Sequence, residues 1–258
     1  MIELYAYSLL SIFVVVFAVI FASCEIGRRL ATHAVGKGTG TISTLESAVF
    51  GLLALMIGFT FAMALSRFEA RRDAVLEEAN AIGTTALRAR LLPEPHRSVT
   101  LKLLREYVNI RLDISQRPVS AKELQNAIGR SNAIQEALWQ QATTMATKDS
   151  GMVPTGLFIQ TLNEMIDNQE KHLTAVRNRV PNIALLALVA LAAIGTGFAG
   201  YASGLENRYS RLPNLITVLV LSSVILLILD LDRPGAGFIE VSQQPMLDTA
   251  ASIEAFSH

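Results

Sequence analysis

Four stretches of the chain are as long as a bilayer crossing and contain no Asp, Glu, Lys or Arg: residues 5–23, 47–65, 183–202 and 212–229. A helix needs about 20 apolar residues to cross a hydrocarbon core of roughly 30 Å. The 258-residue chain is 51% hydrophobic and only 17% charged, which is too apolar for an ordinary soluble domain. We therefore predict an all-α membrane protein with four transmembrane helices in a lipid bilayer.

The first stretch has two alternative interpretations, a cleaved signal peptide and a lipidated Cys24. Residues 1–4 (MIEL) are acidic rather than basic, and the stretch is long for the apolar core of a signal peptide. We expect it to be retained as the first span.

The second stretch passes directly into a charged segment. Residues 50–82 change from wholly apolar to heavily charged without a proline. Beyond the span, Val75 and Ile82 keep a helical spacing, and the pattern continues to about residue 91, just before Pro93. A single helix over 45–91 would be about 70 Å long, so more than half of it would stand outside the bilayer.

Residues 67–181 separate the two pairs of spans and have helical patterns throughout. Helices are predicted from about residue 98 to Arg117–Pro118, from Ser120 to the loop at Gly151, and from about residue 155 to Pro181. Ser120 and Glu123 form a capping box at the start of the second of these. Spans 2 and 3 are predicted to continue into this bundle. The predicted domains are spans 1 and 2 (1–66), an extramembrane helical bundle (67–181), spans 3 and 4 (182–230) and a polar C-terminal tail (231–258).

Small residues form a stripe on two of the spans. In lipid, close packing rather than hydrophobicity drives helix association, and small side chains let two backbones approach. We therefore predict helix packing through both stripes. Their members are Gly51, Ala54, Gly58 and Ala62 in span 2, and Gly197, Gly200 and Gly204 in span 3.

Span 2 also carries bulky side chains that suit a gate. Phe50, Ile57 and Phe61 would form a hydrophobic constriction if an oligomer turned them towards a shared axis, and such constrictions gate by dewetting. Thr60 is the only hydroxyl residue in the apolar core of that span, and it is either a pore-lining residue or a helix residue bonded to its own backbone.

Polar residues concentrate at two further places. Arg67, Arg71 and Arg72 follow span 2 and are either solvated and paired along the helix or part of an ion-attracting vestibule. The tail holds a second group, for which a helix-exit salt bridge is favoured over a cation site. This tail motif comprises Asp230, Asp232, Arg233, Ser242, Gln243 and Gln244.

Several function classes are disfavoured. No charged residue or His lies within a span, which argues against a proton pump or an ion-coupled transporter. The net charge of zero argues against nucleic-acid binding. The histidines are isolated, at positions 33, 96, 172 and 258, there is a single cysteine, and no nucleophile or nucleotide-binding motif is present. We expect no enzyme activity, no cofactor and no metal site.

Five segments together resemble a family of bacterial bestrophin-like membrane proteins. They are 58–72 (GFTFAMALSRFEARR), 77–83 (EEANAIG), 91–94 (LLPE), 229–235 (LDLDRPG) and 241–245 (VSQQP). By analogy with bestrophin anion channels, the resemblance implies a homo-oligomer, of four or five subunits, with span 2 nearest the central axis. No segment matches the acidic calcium-binding cluster of true bestrophins, so calcium gating is not implied.

The side of the membrane that holds the bundle stays open. Arg28, Arg29 and Lys37 in one short loop, with Arg208 and Arg211 in another, favour a bundle outside the cytoplasm. The basic flanks of the bundle and the bestrophin analogy favour the opposite orientation. In either case we expect a multi-pass protein of the bacterial inner membrane that is an oligomeric channel for inorganic ions, most simply anions. The alternative is a non-conducting scaffold or sensor whose bundle binds a partner.

Overall fold

A computed structural model describes residues 7–32, 40–115, 120–148, 153–205, 211–235 and 237–256. These residues form helices and contain no strand, in agreement with the all-α prediction. Predictions that involve residues 1–4, His33, Lys37, Arg117–Pro118, Gly151, Arg208 and His258 lie outside the described residues. The helices are α1 (Leu9–Thr32), α2 (Gly40–Ala89), α3 (His96–Ser115), α4 (Ala121–Lys148), α5 (Val153–Arg177), α6 (Asn182–Leu205), α7 (Leu212–Asp232) and α8 (Gln244–Ala255).

The four predicted spans are confirmed as helices that are long and apolar enough to cross a membrane. They lie in α1, α2, α6 and α7. Helix α2 runs for 50 residues and contains no break at the end of its apolar part. The third span follows α5 through a short non-helical link at residues 178–181, where Pro181 precedes the first residue of α6.

The chain divides into two compact units. The span unit consists of Met1–Phe68, Arg179–Arg233 and Gly237–Ile239, and the bundle unit consists of Glu69–Asn178, Pro234–Ala236 and Glu240–His258. The first boundary between them along the chain falls inside α2.

In the span unit, α1 packs against α6 and α7. The contact between α1 and α6 is made backbone against backbone. A Cβ atom on Gly27 would overlap the Gly197 carbonyl oxygen, and one on Gly200 would overlap the Cys24 carbonyl oxygen. The Ser23 hydroxyl donates to the Ala193 carbonyl oxygen at 2.6 Å and ties the same two helices together. Ridges of side chains would hold these helices apart, so glycine is required at the crossing.

In the bundle unit, α3 packs against α4 and α8, and α4 packs against α5. The core is built from the buried stripes of these helices and from Ala79, Ile82 and Ala86 of α2. The predicted capping box is present: the Glu123 N–H donates to the Ser120 hydroxyl at 3.2 Å, and the Ser120 N–H donates to the Glu123 carboxylate at 2.8 Å. It satisfies two of the N–H groups that a helix start leaves unpaired.

Helix α8 lies in the segment that was expected to be a polar tail. Its polar start obscured the helix, because Gln243 precedes the first turn and Pro245 lies within it. Met246 and Ile253 are seven residues apart, on one face, and both are buried in the bundle core. The Thr249 hydroxyl donates to the Ala79 carbonyl oxygen at 3.2 Å and fixes α8 against α2.

Gly200→Ala is expected to destabilise the protein by about 1–3 kcal/mol, because the added methyl group must push α1 away from α6. Gly129→Ala is the matched control, since Gly129 lies inside α4 with nothing near its Cβ position. The control is expected to stabilise by up to about 1 kcal/mol through helix propensity. Thermal unfolding of both variants in detergent measures the difference. Equal midpoints would contradict the close crossing.

Candidate pore helix and polar clusters

One half of the α2 surface in the span unit is exposed. This exposed arc has a small side, where Gly51, Ala54, Gly58 and Ala62 lie. Its bulky side carries large apolar residues, among them Leu52, Leu55 and Phe59. Apart from the adjacent backbone of α2 itself, no atom of the described residues lies within 4 Å of the position that a Cβ on Gly51 or Gly58 would take. The small stripe of span 2 therefore has no packing partner within the described part of its own chain.

The bulky gate candidates lie at one border of this arc. Phe50, Ile57 and Phe61 are half-buried and contact the apolar core of the span unit. At 100° per residue they fall within about 40° of one another, next to the small side of the arc. Part of each side chain therefore stays accessible on the face that adjoins the small stripe.

Thr60 lies on the opposite side of α2. It is 2% exposed, and its hydroxyl donates to the Met56 carbonyl oxygen at 2.8 Å and to that of Ile57 at 3.2 Å. These bonds are typical of a threonine that satisfies its hydroxyl on the preceding turn. Thr60 thus faces the core of its own chain and not the exposed arc.

The small stripe of span 3 lies elsewhere. Gly197 and Gly200 contact α1 at Ser23 and Cys24, and a Cβ on Gly204 would meet the Ala31 side chain and the Arg28 carbonyl oxygen. Gly27 of α1 completes this crossing and was missed, because a single glycine within an apolar helix gives no pattern. The α6 stripe therefore packs inside the subunit, and the α2 stripe does not.

The end of α7 holds two buried carboxylates. Asp230 accepts the Phe238 N–H at 2.8 Å and the Ile239 N–H at 3.1 Å. A Cβ on Gly237 would overlap the Asp230 carboxylate, so the chain turns back here only with glycine at that position. Residues 238 and 239 thus return to the end of α7.

Asp232 binds the link that precedes the third span. Its two carboxylate oxygens accept the Val180 N–H at 3.0 and 3.1 Å, and Asp232 is fully buried. Arg233 donates from Nη2 to the Tyr7 carbonyl oxygen at 2.9 Å, next to the start of α1. A negative charge is unfavourable at a helix C-terminus, and these amide donors offset that cost. The first part of the tail motif therefore joins the ends of three spans.

The remaining predicted site residues are separate from these clusters. Arg71 is buried, whereas Arg72 is exposed and pairs with Asp73 at 3.3 Å. Arg67 is half-buried. Ser242, Gln243 and Gln244 form the start of α8, where the Gln244 amide donates to Asp248 at 2.8 Å. The described residues contain no group of three or more His, Cys, Asp or Glu side chains that would hold a metal ion.

The bundle unit contains a buried ion cluster that the sequence did not reveal. Arg111 donates from Nε to one Glu78 carboxylate oxygen at 2.6 Å and from Nη2 to the other at 3.1 Å. His172 Nδ1 lies 2.5 Å from the second oxygen, so this nitrogen carries the hydrogen and donates to Glu78. Glu78 is 0% exposed and Arg111 is 3% exposed. A fork-to-fork pair of this kind combines two charge-assisted hydrogen bonds in one fixed geometry.

Amide and phenol groups extend the cluster across the bundle. Tyr107 donates to the Gln169 side-chain oxygen at 2.7 Å and lies 3.4 Å from Glu78. Gln135 donates to the same Gln169 oxygen at 3.1 Å, and Gln169 donates in turn to Asn132 at 3.0 Å. Burial and then the negative charge of Glu78 raise the pKa of the Tyr107 hydroxyl above its ordinary value. The phenol therefore stays protonated and acts as a donor.

Helices α2, α3, α4 and α5 each contribute to this network, at positions up to 94 residues apart along the chain. Such separations leave no local spacing signal. The one sequence clue was that Tyr107 and Gln169 occupy places in the apolar stripes of α3 and α5, where a polar side chain needs a buried partner.

The fold and these sites define an all-α, multi-pass membrane protein with a helical bundle inserted between its second and third spans. A bestrophin-like domain matches residues 9–246 of the chain. The chain therefore belongs to the bestrophin-like family.

Solved structures share the fold. A bacterial bestrophin homologue from Klebsiella pneumoniae is 14% identical and aligns over 96% of this chain and 98% of its own, with a TM-score of 0.69. A single-residue variant of that homologue gives 15% identity over the same shares, with a TM-score of 0.71. No curated protein sequence matches the chain significantly. At such identities the likeness establishes the fold.

Arg111→Met is expected to destabilise the protein by about 3–5 kcal/mol, because it leaves the Glu78 carboxylate buried without its cation. The double variant Glu78→Leu with Arg111→Met removes both charges and is expected to recover a large part of that loss. Arg130→Met is the control, since Arg130 is exposed and lies 3.9 Å from Glu106, where a pair is worth about 0–1 kcal/mol. Thermal unfolding of the unchanged chain and the three variants measures the order of their stabilities. A single variant as stable as the unchanged chain would contradict the role of the cluster.

Proposed function

We propose that the chain assembles into a homo-oligomeric ion channel of the bestrophin type in the bacterial inner membrane, and that it conducts small anions. Family membership and the shared fold support a channel of this type. The observation that carries the proposal in this chain is the exposed arc of α2, which is uncharged within the bilayer, open on its small side and bordered by half-buried Phe50, Ile57 and Phe61.

A ring of subunits uses both parts of this surface. In lipid, a stripe such as Gly51, Ala54 and Gly58 is favourable where a second helix comes close. If a neighbouring copy packs on the small stripe, the adjoining face with Ile57 and Phe61 turns towards the shared axis. Bulky apolar side chains around an axis form a constriction that empties of water and so controls passage. Four or five subunits suit this arrangement.

The continuation of α2 is proposed to extend the pathway beyond the bilayer. Under this proposal, residues 67–181 form the extramembrane bundle between spans 1 and 2 (1–66) and spans 3 and 4 (182–230). Arg67 and Arg72 then act at the exit as an ion-attracting vestibule. Arg71 acts there only through its neighbours, because it is buried.

Phe61→Ala is expected to increase chloride flux through the purified oligomer in liposomes several-fold, because it widens an apolar constriction. Phe59→Ala is the matched control: the same residue type is removed two positions away, on the bulky side of the arc, where 64% of Phe59 is exposed. The control is expected to leave flux unchanged. Liposomes that stay silent with a well-folded oligomer would instead support the non-conducting scaffold.

Gly58→Leu is expected to break the assembly into smaller particles, because the side chain fills the space that a neighbouring helix would occupy. Gly129→Leu in α4 is the control for the same chemical change away from the spans. Native mass spectrometry in lipid nanodiscs counts the subunits. An unchanged count in the α2 variant would show that the small stripe is not the subunit interface.

A further inference from the structure

The bundle unit has a groove of about 810 Å³ that neither the ion cluster nor the proposed pore uses. It lies where α2 ends and α3 begins, and Phe256, just after α8, closes one side. Its volume falls in the range of about 300–1,000 Å³ that is usual for small-molecule sites. We call it the cation groove, because Arg90, Arg97, Lys102 and Arg105 line it.

The cation groove carries a local surplus of positive charge. Among the described residues, Glu94 is the only acidic one that lines the groove. Arg97 pairs with its carboxylate through Nε at 2.7 Å and Nη2 at 2.6 Å. Arg90, Lys102 and Arg105 have no carboxylate partner among the described residues. The chain as a whole has 22 basic and 22 acidic residues, so this surplus is a property of the groove and not of the composition.

Arg105 is the lining cation with a buried donor that the described protein leaves unpaired. Its Nε atom is buried and meets no acceptor. A buried donor without an acceptor is costly, and native structures rarely keep one without a reason. Arg105 and Lys102 also line a second cavity of about 480 Å³ together with Arg130, but there Glu106 and Asp113 offset two of the three positive charges. An anion is therefore favoured in the cation groove.

Apolar side chains line other parts of the groove. Leu87, Leu91 and Leu101 line it, and the Arg90 guanidinium lies 4.6 Å from the centre of the Phe256 ring. Arginine recognises phosphate oxygens with paired N–H donors, and an aromatic ring beside it offers a surface for a flat apolar group. Three unneutralised cations suit a ligand with at least two negative charges.

We propose that the cation groove binds an organic phosphate, meaning a phosphate dianion joined to an apolar or aromatic group. Lys102 and Arg105 bind the phosphate oxygens, and Phe256 with the leucines contacts the apolar part. The proposal does not depend on ion conduction, because binding is measured on the protein without a membrane potential.

The test is calorimetric titration of the purified protein in nanodiscs of phosphatidylcholine with phenyl phosphate at low salt. Saturable binding is expected, and Arg105→Gln is expected to weaken it about 10- to 100-fold through the loss of a charged hydrogen-bond donor. Lys102→Gln tests the contribution of a second lining cation to binding. Lys102 is exposed, so this substitution is not expected to impair folding. Lys171→Gln is the matched control: it removes the same charge from α5, where Lys171 is exposed and pairs with Glu77 at 3.6 Å.

Two further measurements sharpen the result. Phe256→Ala is expected to weaken phenyl phosphate more than inorganic phosphate, which would support the apolar contact. Nanodiscs with phosphatidylglycerol separate the sources of the ligand: competition with phenyl phosphate would support the same phosphate chemistry supplied by a lipid headgroup. No saturable binding by the unchanged chain would overturn the proposal. Equal affinity of the Lys102 and Lys171 variants for phenyl phosphate would also overturn it. So would a Lys102 variant that binds phenyl phosphate normally and differs only in its subunit count.

Discussion

The backbone contact between α1 and α6 is the constraint on which the span unit depends. Lipid gives two helices no hydrophobic reason to associate, so the gain must come from close packing. Gly27, Gly197 and Gly200 provide it by bringing main-chain atoms into contact. Because the small stripe of α6 packs against α1, it is not available for packing against α2. The equivalent stripe of α2 has no packing partner among the described residues, and this is the basis of the proposed assembly with other copies.

The bundle unit is organised by buried polar contacts between side chains. Its core contains the Glu78–Arg111 pair, His172 and a set of amides whose donors and acceptors match one another. A buried pair of charges adds little net stability compared with apolar side chains, but the loss of one member is severe. Such a network also disfavours alternative registers, because a shifted helix would leave several polar groups unsatisfied. We infer that it specifies how α2, α3, α4 and α5 pack.

Local patterns were sufficient to predict the helices and not their partners. The four spans follow from composition alone, and the capping box at Ser120 follows from a spacing of three residues. Helix α8 was missed because Met246 and Ile253 are the only fully buried residues in a segment that begins with polar residues and a proline. The ion cluster was missed because its members are 33 to 94 residues apart. Thr60 and Arg71 show the same limit: residue type does not tell which side of a long helix faces the core.

The bond between Asp232 and Val180 has a consequence for the order in which the protein is made. The Val180 amide is synthesised 52 residues before the carboxylate that accepts its hydrogen. Until the ribosome has completed the fourth span, the link before the third span lacks the carboxylate that accepts that N–H. The link before the third span therefore completes its hydrogen bonding only after the fourth span has been made. Any chain that ends before Asp232 would contain the third span without the carboxylate that accepts the Val180 N–H.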